Sequence, residues 1–524
     1  LRYSAWQAAG LLGARCLHGK LSDMWEGGVA PASFRSSLLC FLPKVTDCGG
    51  YCLPGETRPI ALSDTSYKAI ASLLNRILAA ALPKFIDEHQ RGFMRGRQGL
   101  DHVMELEAAA IKAGRLGGPA AACCLFDILA AFPSLSHKFL TRALRKFCGK
   151  HPLGRIIIDL YLGNEASLLL FGRVSAGFAV LAGVRQGCPL SGSLFALCFH
   201  AIIIDLQIKV VHRAFLVSAT IFAYADDLGI VLQDLWVLMP LLYESLRAAG
   251  RATNLHLNVK KTRVLPLWRN PLLDVASRRL GARWPAWAKF VFTLEHEYLG
   301  ILVGPSATNV KRWFPTVLKF EGRVVSIAQM GVAWPTAIFL YNIFAMPVLS
   351  YVGQVVPTDA LPKTLFARMT ARLFKLPMNR FPYEAILALP VLHVPLRLRD
   401  ARAEGLASQV RVSLRSRGLE VALQYLEGAT SDDHLVVNPH SKWQAECTAI
   451  NVSKASGALS PLELSTAEAQ TVRMQHHICG VLRMRAAPFN FASLFAARLR
   501  QVILQSGLPL DPMGVGKSLQ DSLL

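Results

Sequence analysis

The chain has 524 residues, 57 Lys and Arg against 35 Asp and Glu, a net charge of +22 and 11 cysteines. That length exceeds what one hydrophobic core fills, so two or three domains are expected. The positive excess favours a polyanionic partner, nucleic acid before an anionic membrane. The scattered cysteines, several in apolar runs such as Cys123, Cys124 and Cys198, read as reduced core residues of an intracellular protein rather than a disulfide framework.

In chain order, the first residue is Leu, and no charged stretch followed by an apolar run opens the sequence. No signal peptide is therefore expected, and the sequence reads as a fragment or a processed piece, for which missing flanking domains are an expectation. Residues up to about Leu42 end in the apolar run SLLCFLPK; a Gly-rich loop, CGGYCLPGE, then leads to Arg58-Pro59-Ile60-Ala61-Leu62. Cys48 and Cys52 have no second pair at zinc-ligand spacing, and His476-His477 with Cys479 fares no better, so no structural zinc is expected. From Tyr67 to about Leu82 the period is helical, with Ile70, Leu73, Leu74, Ile77 and Leu78 predicted on one buried face. A second helix is predicted over Leu100–Ala113, followed by the break AGRLGGPAA.

AACCLFDILAAF, from Ala121, is a short apolar run carrying one acid, Asp127. Helices are predicted over His137–Lys150 and Leu153–Leu162, then strands in ASLLLF and GFAVLAGV, then a break at Gly-Cys-Pro before a helix in SGSLFALCFHAIIIDLQ. A hairpin around the Asp pair, a helix from Leu238 to about Ala249 and HLNVKKTRVLPL follow. Strands and helices interleave without a regular βαβ repeat, which argues α+β with a partly antiparallel sheet. After about Leu302 the pattern is helix-rich and Arg-bearing, so a domain boundary is expected near residue 305. Val324 to Thr358 lacks charged side chains, but Gln329, Pro335, Asn342, Pro347 and Gln354 interrupt it. That suits buried helices separated by turns better than a membrane span.

Tyr224-Ala225-Asp226-Asp227, inside IFAYADDLGIVL, predicts strand, tight turn and strand, with both acids pushed into a cleft. Two readings stand for such a turn: a divalent-metal site, because paired acids in apolar surroundings are costly without a cation, or a solvated Asp turn. Asp127 lies 99 residues before Asp226. If their strands are neighbours, the carboxylates face each other as two-metal phosphoryl transfer requires. Between them, glycines flank Gln186 and let the backbone approach a base pair closely. Lys44 and Arg58 suit a triphosphate, and each could equally be a surface cation.

RPIAL, HQRGFMRGRQGLDHV, FDILAAF, GVRQGCPLSGSLFAL, FAYADDLGIVL, LNVKKTRVL and EYLGILVG occur in the order seen in reverse transcriptases, and the set most resembles those of non-LTR (LINE-type) retrotransposons. The resemblance implies an α+β right-hand polymerase fold: an N-terminal extension over residues 1–29, fingers and palm over 30–305, thumb and basic helices over 306–427, and a helical C-terminal region of unreadable role over 428–524. It implies an RNA-directed DNA polymerase using an RNA template, a DNA primer, dNTPs and two Mg²⁺, with Mn²⁺ as a substitute. By resemblance Asp127, Asp226 and Asp227 are the catalytic metal ligands, and Phe132 is the bulky gate under the incoming sugar. Gln186 and Gly187 contact the nascent pair, Lys44 and Arg58 hold the triphosphate, and Lys261 sits near pyrophosphate. Tyr224 and Ala225 lie at the primer end, and Tyr298-Leu299-Gly300 form the primer-grip hairpin. Nuclear or cytoplasmic localisation without a membrane is expected. The chain departs from the family pattern at Ala130 and Pro133, where Lys and a second acid are usual, and at Gly192, where many relatives have Pro. A catalytically silent nucleic-acid-binding remnant is the alternative, and a group II intron or retron-type enzyme is the other polymerase reading.

Overall fold

The computed structural model describes residues 3–44, 52–116, 120–170, 172–212, 217–356, 361, 363–377, 383–387 and 398–400. They divide into two compact units, Leu1–Leu294 and Glu295–Leu524. The division precedes the expected boundary near 305 because the short hairpin after Leu294 pairs only with itself and packs on the helix that follows it. The C-terminal region expected over 428–524 lies outside the described residues.

The strands, in chain order, are β1 (Ser36–Pro43), β2 (Thr57–Leu62), β3 (Ala122–Phe126), β4 (Asn164–Leu170), β5 (Arg173–Val174), β6 (Phe178–Val180), β7 (Ala219–Tyr224), β8 (Asp227–Leu232), β9 (Arg263–Pro266), β10 (Val291–Phe292), β11 (His296–Tyr298) and β12 (Ile301–Val303). One sheet of the first unit runs β10-β9-β3-β8-β7, with β3 antiparallel to both β8 and β9. Every residue of β3 is buried. Ala122, Cys124 and Phe126 join the main core with Leu194, Phe195 and Phe199 of the Ser191–Leu206 helix, while the Gly99–Leu116 helix covers the other side, where His102 meets Phe222 edge to face. Burial on both faces explains why this strand reads as an unbroken apolar run. The second sheet is β2-β1-β4-β5, with β6 also on β4.

The helices begin where the sequence supplies caps. Ser136 accepts from the Phe139 N–H, His151 precedes Pro152 at the first helical position, and Asp234 accepts from the N–H groups of Trp236 and Val237. The predicted Tyr67–Leu82 helix is Thr65–Phe85, but its buried stripe is Tyr67, Ile70, Ala71, Leu74, Leu78 and Leu82. Leu73 and Ile77 are exposed. The helix is narrower in its apolar contact than the periodicity suggested, since it packs chiefly on the Ser191–Leu206 and Tyr3–Glu26 helices.

The second unit holds the β11–β12 hairpin and the helices Asn309–Gln329, Trp334–Leu340, Met346–Gly353, Lys363–Leu373 and Tyr383–Leu387 around Phe320, Tyr341 and Phe366. The turns expected at Asn342 and Pro347 do not form: a π-helical stretch, Tyr341–Ala345, joins two helices into one continuous rod. Its wider turn, just ahead of Pro347, accommodates the missing proline N–H without breaking the rod. Among the described residues two helices, Ser191–Val211 and Trp334–Gly353, are long and apolar enough to cross a membrane. In the first, Phe195, Cys198, Phe199 and Ile203 are buried in the core of the unit.

Candidate polymerase active site

The register of β3 on β8 pairs Leu125 with Gly229 and Phe126 with Leu228. Carried one residue further, it sets Asp127 opposite Asp227. On the other side β8 returns to β7 through a two-residue turn, with Tyr224 paired to Asp227 and Ala225 and Asp226 at the tip. Pairing across the sheet therefore brings together, at one end, three acids whose numbers span 127 to 227. The structure agrees with the predicted strand, turn and strand.

The turn needs a left-handed residue, and Ala225 supplies it with φ 58. Asp226 is half-buried, and Asp227 is exposed as a residue. Burial pushes the Asp226 carboxyl up, and the charge of Asp127 adds to it. The Asp227 carboxyl is pushed up to about 6 by loss of solvent first, then by Asp226 and Asp127. Among the described residues, none of the three has a cationic partner. Mutually repelling, oxygen-only donors without a counter-ion fit a hard divalent cation. No three His, Cys, Asp or Glu side chains among the described residues close into a preformed cage, so other oxygens would have to complete the shell.

The loop that leads into β9 is fastened to the first acid. The Asn258 N–H donates to the Asp127 carbonyl at 2.8 Å, and the Leu129 N–H donates to the His256 carbonyl at 2.8 Å. Exposed Lys261 stands three residues beyond that anchor, its own N–H donating to the Asn258 carbonyl at 3.0 Å. Phe132 is half-buried, stacked on Phe195 with ring centroids 4.9 Å apart and met edge-on by Phe93 at 5.8 Å. It is a core aromatic on one side and partly open on the other.

Gln186 and Gly187 lie beside β2: the Ala61 N–H donates to the Gln186 carbonyl at 2.8 Å, and a Cβ on Gly187, at φ 104, would fall 3.1 Å from the Ala61 carbonyl oxygen. Arg185 anchors this loop from below. Its guanidinium donates to the Phe34 carbonyl (2.8 Å), the Arg35 carbonyl (2.9 Å) and the Asn164 side-chain oxygen (2.5 Å), and it lies over the Tyr67 ring. Arg58 is exposed on β2, opposite Leu42 of β1. Lys44, at the end of β1, donates through Nζ to the Gly55 carbonyl at 2.7 Å. The predicted triphosphate cations thus share one sheet with the strand that carries the Gln186 loop. Tyr298, Leu299 and Gly300 belong to the second unit, where Leu299 (φ 48) and Gly300 (φ 79) form the two-residue turn of the β11–β12 hairpin. Two arginines of the region expected to be basic, 306–427, are held within the protein: Arg368 is paired with Glu321, and Arg399 bonds Asn342. Gln90 and Gly92, which border the Asp turn, received no role from the sequence. The box HQRGFMRGRQGLDHV marked the segment, but nothing local tied it to β7.

A model of the family described as reverse transcriptase (RNA-dependent DNA polymerase) matches residues 42–303, half of the chain. The chain belongs to that family. Its fold is accordingly the right-hand polymerase fold, with the β10-β9-β3-β8-β7 sheet as the palm. Relatives include the transposon TX1 uncharacterized 149 kDa protein of Xenopus laevis, 29% identical over 42% of this chain. They also include Pol polyproteins of the retrotransposable elements R2DM of Drosophila melanogaster, 27% identical over 43% of the chain, and R2 of Bradysia coprophila, 25% identical over 54%. These bear out the non-LTR resemblance. This chain spans only 17%, 20% and 32% of those relatives' lengths. Among solved structures, apo telomerase from Candida Tropicalis aligns over 89% of this chain and 74% of its own, at 10% identity and a TM-score of 0.41. Reverse transcriptases generally work with a divalent metal.

Proposed function

We propose that this chain extends a primer 3′-hydroxyl on an RNA template with dNTPs, by the two-metal route, at the acids Asp127, Asp226 and Asp227. The observation that carries the reading is the β3–β8 register, which sets Asp127 against Asp227 beside the Asp226 turn. Asp127 and Asp226 would hold both ions and Asp227 would assist, with Mg²⁺ as the ordinary metal and Mn²⁺ as a substitute. When bound, the ions lower the charge barrier between the primer oxygen and the triphosphate and stabilise the leaving oxygen. The primer 3′-hydroxyl gives its proton to solvent, its oxygen bonds to the α-phosphorus as the bond to the β-phosphate oxygen breaks, and pyrophosphate leaves.

The chain's own residues do the positioning. Phe132, backed by Phe195, presents a rigid ring to the incoming sugar and disfavours a 2′-hydroxyl. The Gln186–Gly187 backbone, fixed by Ala61 and by Arg185, abuts the nascent pair. Lys44 and Arg58 neutralise the triphosphate, Lys261 attracts pyrophosphate, Tyr224 and Ala225 border the primer terminus, and Tyr298, Leu299 and Gly300 grip the primer. The departures Ala130 and Pro133 flank the gate and favour one second reading, a silent remnant that binds nucleic acid without turnover.

Primer extension on an RNA template with Mg²⁺ separates the two. Incorporation of dNTPs by the wild-type chain that is lost in the Asp226→Ala, Asp227→Ala double variant supports the polymerase. Wild-type binding of primer–template without variant-sensitive incorporation sinks it and leaves the remnant.

A further inference from the structure

Ala225 sits at φ 58, a conformation that favours glycine and costs an alanine about 1 kcal/mol. The residue that holds it there comes from a distant part of the sequence. Gln90 is fully buried, and its side-chain amide closes on Ala225 from both ends. Gln90 Oε1 accepts from the Ala225 N–H at 2.9 Å, while Gln90 Nε2 donates to the Ala225 carbonyl at 3.2 Å. The same Oε1 accepts from the Gly92 N–H at 2.8 Å, so the amide cannot rotate away without orphaning three groups.

The backbone around Gln90 is equally fixed. The Ala223 N–H donates to the His89 carbonyl and the Arg91 N–H donates to the Ala223 carbonyl, both at 2.9 Å, which lays this segment parallel along the free edge of β7. A Cβ on Gly92 would fall 2.0 Å from the Ala225 nitrogen, so only glycine permits the approach. Arg97 ties the segment down from behind, donating to the carbonyls of Pro83, Ile86, Asp87 and Gln90.

We propose that Gln90, seated by Gly92, is a positioning residue for the metal-binding turn: it fixes the Ala225–Asp226 peptide, and thereby the bearing of the Asp226 carboxylate toward Asp127. The inference rests on the reading of these acids as metal ligands. Orienting groups behind a ligand typically change metal affinity by about 10–100-fold when removed. Gln90 therefore acts on metal affinity and on the chemical step, with little effect on nucleotide or primer–template binding.

The test uses the whole chain and Mn²⁺ alone, with free Mn²⁺ measured by electron paramagnetic resonance, alongside primer-extension kinetics. Gln90→Met keeps the volume and removes all three hydrogen bonds. It is expected to weaken Mn²⁺ binding about tenfold or more, and to lower kcat while leaving KM for dNTP near wild type. Adding Ala225→Gly, which needs no holding in the left-handed region, is expected to restore most of the lost affinity. Wild-type affinity in Gln90→Met, or no recovery in the double variant, overturns the proposal. If Gln90→Met does not fold, the double variant decides: near-wild-type Mn²⁺ binding supports the clamp, whereas weak binding or continued failure to fold sinks it. The Mn²⁺ measurement needs no turnover, so a chain that binds Mn²⁺ at these acids and extends no primer defeats the polymerase reading and leaves the clamp standing.

Discussion

Asp227 combines an exposed position with a carboxyl that titrates near 6, because loss of solvent and the charges of Asp226 and Asp127 all oppose its ionisation. The folded pKa lies above the unfolded one, so the folded chain binds the extra proton. Without metal, stability should therefore fall as pH rises from about 4 through about 6, and stay low above that. Asp227→Asn removes the repulsion; the metal-free variant should melt above wild type at pH 7 and level with it near pH 4. Thermal melts in a chelator at both pH values check this, and an equal gain at both would contradict it. The same charge predicts that Mg²⁺ raises the wild-type melting temperature at pH 7.5 and much less at pH 5, where protons compete for the site. At the chemical step, Asp226→Asn should cut primer-extension kcat by roughly a thousandfold or more, since each tenfold corresponds to about 1.4 kcal/mol of barrier and a metal supplies several. Retained primer–template binding would show that the loss is catalytic.

Elements meet at this site through a few close fits. Gly183, at φ 91, lies where a Cβ would come within 2.5 Å of the Pro133 carbonyl, so the Gln186 loop and the turn after Asp127 are pressed together there. The Val184 N–H donates to the Phe132 carbonyl at 2.8 Å beside that contact. The Pro133 backbone thus stands in a structural seam between these two segments. Arg185 holds the other side of the loop with three acceptors and the Tyr67 ring. Arg185→Met would leave buried carbonyls unpartnered and should cost about 3 kcal/mol of stability, visible as a lower denaturation midpoint with an unchanged slope. An unaltered midpoint would mean that the loop is held by β2 alone.

For the whole molecule, a net charge of +22 implies that phosphate neutralisation dominates binding. Affinity for an RNA–DNA primer–template should fall at least about a hundredfold between roughly 50 and 200 mM salt, and the Asp226→Asn, Asp227→Asn double variant should keep that dependence. A flat salt profile, read by filter binding or anisotropy, would argue against a nucleic-acid partner. By itself, the sequence determined the lineage, the α+β class and the Asp-Asp hairpin. These rest on local features: apolar runs, turn residues and ordered boxes whose chemistry is legible within a dozen residues. It misjudged the outer residues of the Thr65–Phe85 helix and the breaks in Trp334–Gly353, because exposure and continuity depend on neighbouring elements and on how a π turn absorbs a proline. Only the tertiary structure decided that Asp127 stands opposite Asp227, that Asn258 is fastened to the Asp127 carbonyl and that Gln90 clamps Ala225. Each of these is a contact between segments far apart in the chain, fixed by strand register and close packing, and no local pattern of residues encodes the partner across such a gap.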